Sequence, residues 1–209
     1  MRYVVIFLVL IFSFCPLMAQ EETLFNSEIE SGWYGGPIIK TGPLNGHAGF
    51  FLGGQGGWIL NHRFSIGGKG YMLVNPNEVE GLEHVTLGFG CGGVLLEYIA
   101  SSNRLVHVSV ESMVGLGGVY NDVNHYAKRY PPIDYTGDGC FVLEPGVTVM
   151  LNVLKNFRAG LGVTYRYVNG INYDPGLPYL NAESQGYEKI TDSDLSGVTV
   201  QVVLKFGMF

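Results

Sequence analysis

The chain has 209 residues, enough for one domain, with 31 glycines, 47% apolar residues and 14% charged ones. Apolar content that high, arranged periodically, excludes a disordered chain. A net charge of −6 excludes a nucleic-acid binder, which needs a basic footprint.

Residues 1–19 read as a signal peptide. Arg2 supplies the positive start, Tyr3 to Phe14 is an apolar run too short to span a bilayer, and "PLMAQ" offers cleavage after Ala19. Cys15 lacks the small residue that a lipoprotein signal places just before its cysteine. Residues 20–31 are a short polar, acidic leader, and residues 32–209 form one domain. No later apolar run reaches the length of a membrane-spanning helix.

Eight extended runs follow, bounded by turn signals, with no convincing helix. The first, 32–41, alternates poorly. The second, 47–60, sets Phe50, Leu52, Trp58 and Leu60 against Gly49, Gln55 and Gly57. The third, 64–74, sets Phe64, Ile66 and Met72 against Ser65, Gly67, Lys69 and Tyr71. The fourth, 85–99, changes phase near Gly92-Gly93, which predicts a β-bulge. The fifth, 105–120, has Val106, Val108, Val110, Val114 and Leu116 on one face and His107, Ser109, Glu111 and Met113 on the other. The sixth, 140–153, contains Pro145, which predicts a second bulge near a rim. The seventh, 157–168, and the eighth, 197–209, alternate cleanly: Val198, Val200, Val202, Phe206 and Met208 oppose Thr199, Gln201 and Lys205.

From the second run onward, tight turns at 61–63, 100–104 and 154–156 alternate with long connections at 75–84, 121–139 and 169–196. An up-and-down meander puts the tight turns and both chain ends at one end of a barrel.

The polar face of each strand carries only one or two charges among Gly, Ser and Thr, too few to keep a soluble surface solvated. Small residues and a few ions suit the cramped interior of an eight-stranded barrel, and the bulky face suits lipid. The expected fold is therefore all-β: an eight-stranded antiparallel up-and-down transmembrane β-barrel. A soluble periplasmic lipocalin-like barrel is the alternative. Lys69, Arg158, Arg166 and Lys205, with Glu97, Glu111 and Glu144, are expected to form a lumenal salt-bridge network, because buried charges need partners. Trp33, Tyr34, Trp58, Tyr98, Tyr165 and Tyr167 fall near strand ends, as an interfacial girdle does or as plain β-propensity does.

With its signal peptide, eight amphipathic strands and terminal "LKFGMF", the chain resembles the small porin-like outer-membrane barrels of Gram-negative bacteria, the OmpA/OmpX type. The resemblance implies a cell outer membrane location, outer-membrane lipid as surroundings, and a C-terminal aromatic read by the barrel-assembly machinery. Phe209, however, shares its phase with Lys205 and Gln201, whereas Phe206 and Met208 share that of the valines.

His107, Ser109 and Glu111 have the residue types of a hydrolytic triad, and the His-x-Ser spacing resembles that of lipid A deacylases, also membrane barrels. Against this, the face points into the lumen, near the tight-turn end, and residues two apart on a strand are about 6–7 Å apart. No catalytic residue is assigned. Tyr126, Tyr130, Tyr135, Tyr173, Tyr179 and Tyr187 in the long connections are candidates for contact with sugars or proteins. "DSD" at Asp192 and Asp194 is a weak cation signal, the histidines lack metal-ligand spacing, and no metal or cofactor is expected. Cys91 and Cys140 fall on non-adjacent strands and are expected to be free. The reading is a non-catalytic surface or structural protein, with a small pore or a lipid-modifying hydrolase as alternatives.

Overall fold

A computed structural model describes residues 31–75, 85–123, 137–173 and 189–209. The predicted signal peptide and all but the last residue of the leader lie outside them. The long strands are β1 (Ser31–Leu44), β2 (His47–Leu60), β3 (Phe64–Leu73), β4 (Val85–Ala100), β5 (Val106–Val123), β6 (Gly137–Leu154), β7 (Phe157–Asn169) and β10 (Gly197–Met208). They close one antiparallel barrel in the order β1-β10-β7-β6-β5-β4-β3-β2. Between β7 and β10 lie a two-stranded ribbon, β8 (Asn172–Tyr173) with β9 (Ile190–Thr191), and one helical turn, α1 (Asp192–Leu195).

The meander follows from local chemistry. Asn45 and Gly46 link β1 to β2 with positive φ values of 48° and 75°, the backbone of a type I′ hairpin turn. Its twist matches the flanking strands, so two residues suffice. The chain's first and last strands pair, Trp33 opposite Met208, and close the barrel without a free edge.

Two expected irregularities are absent. β4 keeps one register with β3 and β5 through Gly92 and Gly93, so there is no bulge. Its apparent phase change arises because Leu87, Phe89, Leu95 and Ile99 are apolar yet buried inside. Pro145 also causes no bulge: Ser112 pairs with it in an unbroken β5–β6 register. The β6–β7 ladder instead skips residues 144 and 145, and its register shifts only between Asn152 and Leu154. Pro37 sits at the matching gap in the β1–β10 ladder. Each proline lies where no partner is asked of its missing N–H.

Alternation sorts the side chains. Val106, Val108, Val110, Val147, Val149, Leu161, Val163, Val198, Val200, Val202, Phe206 and Met208 all point outward and are exposed. The interior is stacked in layers. An apolar layer under the loop end includes Leu44, Phe51, Leu87, Phe89, Val142, Ile171, Tyr173, Ile190 and Leu195. A polar middle holds the ions. At the end bearing the tight turns, Tyr34, Ile59, Ile99 and Phe209 form a smaller apolar cluster.

Candidate functional site

The ions of the middle layer come from strands spread around the barrel, so each pair staples distant parts of the wall. Lys40 on β1 donates to Glu144 Oε1 on β6 at 2.5 Å, and to Thr164 Oγ1 on β7 at 3.1 Å. Lys69 on β3 lies 2.8 Å from Glu111 Oε1 and 3.1 Å from Glu144 Oε1. The Tyr71 hydroxyl donates to the other oxygen of Glu144. Gln201 on β10 accepts from Lys69 at 2.9 Å and donates to Glu111 at 2.8 Å and to Thr148 at 3.0 Å. Both carboxylates thus have several donors, and both lysines have a carboxylate, as burial of ions demands.

A second pair lies lower. Lys205 Nζ is 2.5 Å from Glu97 Oε1, and the Tyr34 hydroxyl donates to Glu97 Oε2 at 3.0 Å. Arg158 forms no ion pair among the described residues, and its guanidinium stacks 3.9 Å from the Phe209 ring centroid. The terminal aromatic is therefore turned inward, and Phe206 and Met208 face out.

Arg166 binds carbonyls instead of a carboxylate. Its Nε donates to Leu195 O at 2.6 Å and its Nη2 to Pro43 O at 2.7 Å. The guanidinium lies 4.8 Å and 5.1 Å from the ring centroids of Phe51 and Phe89. It latches α1 across the barrel mouth to the β1–β2 turn, and Asn45 N donates to Asp194 O at 2.7 Å beside it. Ile171 N donates to Asp192 Oδ1 at 2.6 Å and Thr191 N to Asp194 Oδ2 at 2.8 Å. Both aspartates of the "DSD" are thus engaged by backbone, and no cluster of three potential metal ligands occurs among the described residues. Leu195 is wholly buried beneath the mouth.

Lys69, Glu97, Glu111, Glu144, Arg158, Arg166 and Lys205 are all buried on the lumenal face. The first four and Lys205 are ion-paired; Arg158 and Arg166 are not, because a ring and two carbonyls take the place of carboxylates. Sequence reasoning missed Lys40, whose strand alternates too poorly to show its phase. Tyr34, for which an interfacial girdle and plain β-propensity were both open, is a buried lumenal residue that donates to Glu97. Trp33, Trp58, Tyr98, Tyr165 and Tyr167 do face outward.

Of the loop tyrosines, only Tyr173 is described. It is buried in the apolar layer and so is no surface contact residue; Tyr126, Tyr130, Tyr135, Tyr179 and Tyr187 lie outside the described residues. His107 and Ser109 are buried, and Glu111 is committed to Lys69 and Gln201. Cys91 and Cys140 are free thiols.

No family model matches the sequence, and no curated protein matches it. Solved structures do. Neisserial surface protein A aligns with 84% of this chain and 96% of its own, at TM-score 0.54 and 11% identity. The outer membrane protein OprG from Pseudomonas aeruginosa aligns over 85% of this chain and 95% of its own, at TM-score 0.50 and 10% identity. Ail, the attachment invasion locus protein of Yersinia pestis, covers 87% of this chain and is itself covered completely, at TM-score 0.48 and 14% identity. The fold is that of the small eight-stranded outer-membrane β-barrels. A closed barrel with a polar, filled middle and an apolar exterior is the surface such a protein presents to lipid.

Proposed function

We propose that the protein is a non-catalytic barrel of the cell outer membrane, structural in its wall and acting, if on a ligand, through its external connections. The observation that carries this is the distribution of charge: the ions of the barrel's middle are buried inside, each carboxylate paired with a lysine, and hydrocarbon side chains coat the outside. A soluble lipocalin-like barrel has the opposite arrangement. The layered lumen also speaks against a pore, since side chains fill an eight-stranded barrel. The barrel-assembly machinery and outer-membrane lipid are the partners this reading requires.

Cell fractionation combined with heat-modifiable gel mobility tests it. The expected result is extraction only by detergent, a compact unheated band, and protease access from outside limited to the long connections. Extraction by salt or buffer alone overturns the reading. A Ser109→Ala protein is expected to leave the lipid A profile unchanged; a profile that depends on Ser109 would establish the hydrolase alternative instead.

A further inference from the structure

At mid-height the outer wall of β1–β4 carries two rows made mostly of glycine, ended by Val94 on β4 in the lower row and by Pro37 on β1 in the upper. Along the ladders, Gly35 pairs with Gly56 and Gly56 with Gly68; two residues higher, Gly54 pairs with Gly70 and Gly70 with Gly92. These two outward rows make the floor of a trench. Below it run Trp33, Trp58 and Ile66, paired in register, and above it Ile39, Leu52 and Met72. The lower part is a groove of about 720 Å³ between Trp33, Trp58, Ile66 and Val94.

The barrel requires only part of this floor to be bare: a Cβ at Gly56 would lie 3.0 Å from Tyr34 O and one at Gly70 3.3 Å from Cys91 O. Inward glycines of the same strands are packed against backbone: a Cβ at Gly67 would lie 1.9 Å from Gly56 O, and one at Gly93 2.3 Å from Val114 O. A Cβ at the outward Gly54 would meet nothing nearer than 3.6 Å, and at Gly68 nothing nearer than 3.8 Å. Room for side chains exists there, and none is present. What the missing side chains leave space for lies outside the protein.

Charge identifies the occupant. The three tight turns carry Arg63, Arg104 and Lys155 and no acidic residue, whereas the described part of the opposite rim carries Asp122, Asp138, Asp192 and Asp194 against one lysine, Lys189. Arg63 joins β2 to β3, the two strands at the centre of the trench, and is exposed. Gly68 is five residues further on, about 17 Å along the strand. With a strand tilt of about 40° that is roughly 13 Å of depth, within one leaflet of a hydrocarbon core about 30 Å thick. A second copy does not fit. Barrels inserted in the same direction share heights, so a twofold axis along the membrane normal sets trench against trench.

We propose that this trench beds an acyl chain of an anionic phospholipid of the leaflet at the tight-turn side, its phosphate held by Arg63. The inference rests on the reading of the barrel as membrane-spanning. The phosphate meets the guanidinium at the interface, and the chain climbs past Trp58 and Ile66 and ends on the glycine floor.

Trp33 and Trp58 are the only two tryptophans of the chain, so their fluorescence reports this site alone. The full-length barrel is folded into phosphatidylcholine vesicles doped with phosphatidylglycerol or phosphatidylethanolamine brominated deep in the acyl chain. Phosphatidylglycerol is expected to quench as if bound about fivefold more tightly, the worth of one basic residue near a membrane surface. Arg63→Gln is expected to bring the two lipids to parity. Gly54→Leu with Gly68→Leu, which fills the trench, is expected to lower deep-chain quenching by both lipids while heat-modifiable mobility persists. Equal quenching of the wild type by both lipids, undiminished quenching of the filled trench, or a cross-linked dimer through Trp58 overturns the inference. Failure of either lipid to quench at all overturns the membrane reading beneath it.

Discussion

Lys40 and Glu144 meet inside the barrel with Nζ and Oε1 2.5 Å apart, although 104 residues separate them in the chain. Neither side chain is exposed to solvent. The two ends of the pair are not equivalent. Glu144 also takes Lys69 and Tyr71, so it keeps two donors when Lys40 is removed. Among the described residues Lys40 has only Thr164 as a second acceptor.

That asymmetry predicts a ranking. Glu144→Gln leaves Lys40 buried without a carboxylate and weakens Lys69, a change that costs about 3–5 kcal/mol when a buried pair is broken from one side. Lys40→Met leaves a carboxylate that is still bonded, and costs about 1–2 kcal/mol. Urea titration of the barrel folded in lipid vesicles measures both midpoints. Equal or reversed losses show that the network is not organised around Glu144.

Arg166 acts on the mouth and not on the wall. Its two hydrogen bonds hold Leu195 and Pro43, and its ring contacts position the guanidinium between them. Arg166→Met is therefore expected to keep the barrel compact on unheated gels. It is expected to raise hydrogen exchange at the Asn45 amide, which donates to Asp194, by at least tenfold, since a hydrogen bond to a charged group contributes about 1.5–3 kcal/mol. Exchange at that amide unchanged from the wild type means that α1 is held by its own packing.

How much of this was legible in the sequence depended on whether chemistry and phase agreed. β2 was readable to the residue, because "NG" marks its start and Phe50, Leu52 and Trp58 mark its outer face. β5 and β10 were readable in their faces because they alternate cleanly, although β5 runs on three residues past 120, to Val123. Lys40 was hidden because Pro37, Ile38 and Ile39 put apolar residues on both faces of β1. Leu87 and Phe89 were misleading in the opposite sense: the rule of a polar interior fails near the mouth, where an apolar layer seats Leu195. That layer makes a continuous β4 look bulged. The helical turn α1 is too short for any periodicity. Its one local sign is Thr191 with Asp194 three residues on, a capping pair that a loop can carry equally well.

Phe209 packs inward on Tyr34, Ile59 and Ile99 and beneath Arg158, so it contributes to the folded barrel itself. Phe209→Ala is expected to lower the urea midpoint by the equivalent of about 2 kcal/mol, below the range for a fully buried ring because Phe209 is only partly covered. Phe206→Ala removes an outward side chain and is expected to cost less than half of that. Spontaneous refolding into vesicles measures this packing with no other protein present. A Phe209→Ala midpoint equal to that of the wild type means that the inward packing of the ring does not stabilise the barrel.

Gly67 and Gly68 are neighbours with opposite demands. Gly67 faces in, and a Cβ there would lie 1.9 Å from the carbonyl oxygen of Gly56 on the next strand, backbone that cannot swing away. Gly68 faces out, with its nearest neighbour for a Cβ at 3.8 Å. Gly67→Ala must therefore prise β2 from β3, and loss of the compact unheated band is the expected outcome. Gly68→Ala removes the conformational freedom of a glycine from a strand interior without a clash, and is expected to be neutral or to stabilise by about 0.5 kcal/mol. Parallel urea titrations of the two variants decide the matter. If both behave alike, the steric difference between the two faces of β3 is not what holds a glycine at each position, and the bare trench floor needs another cause.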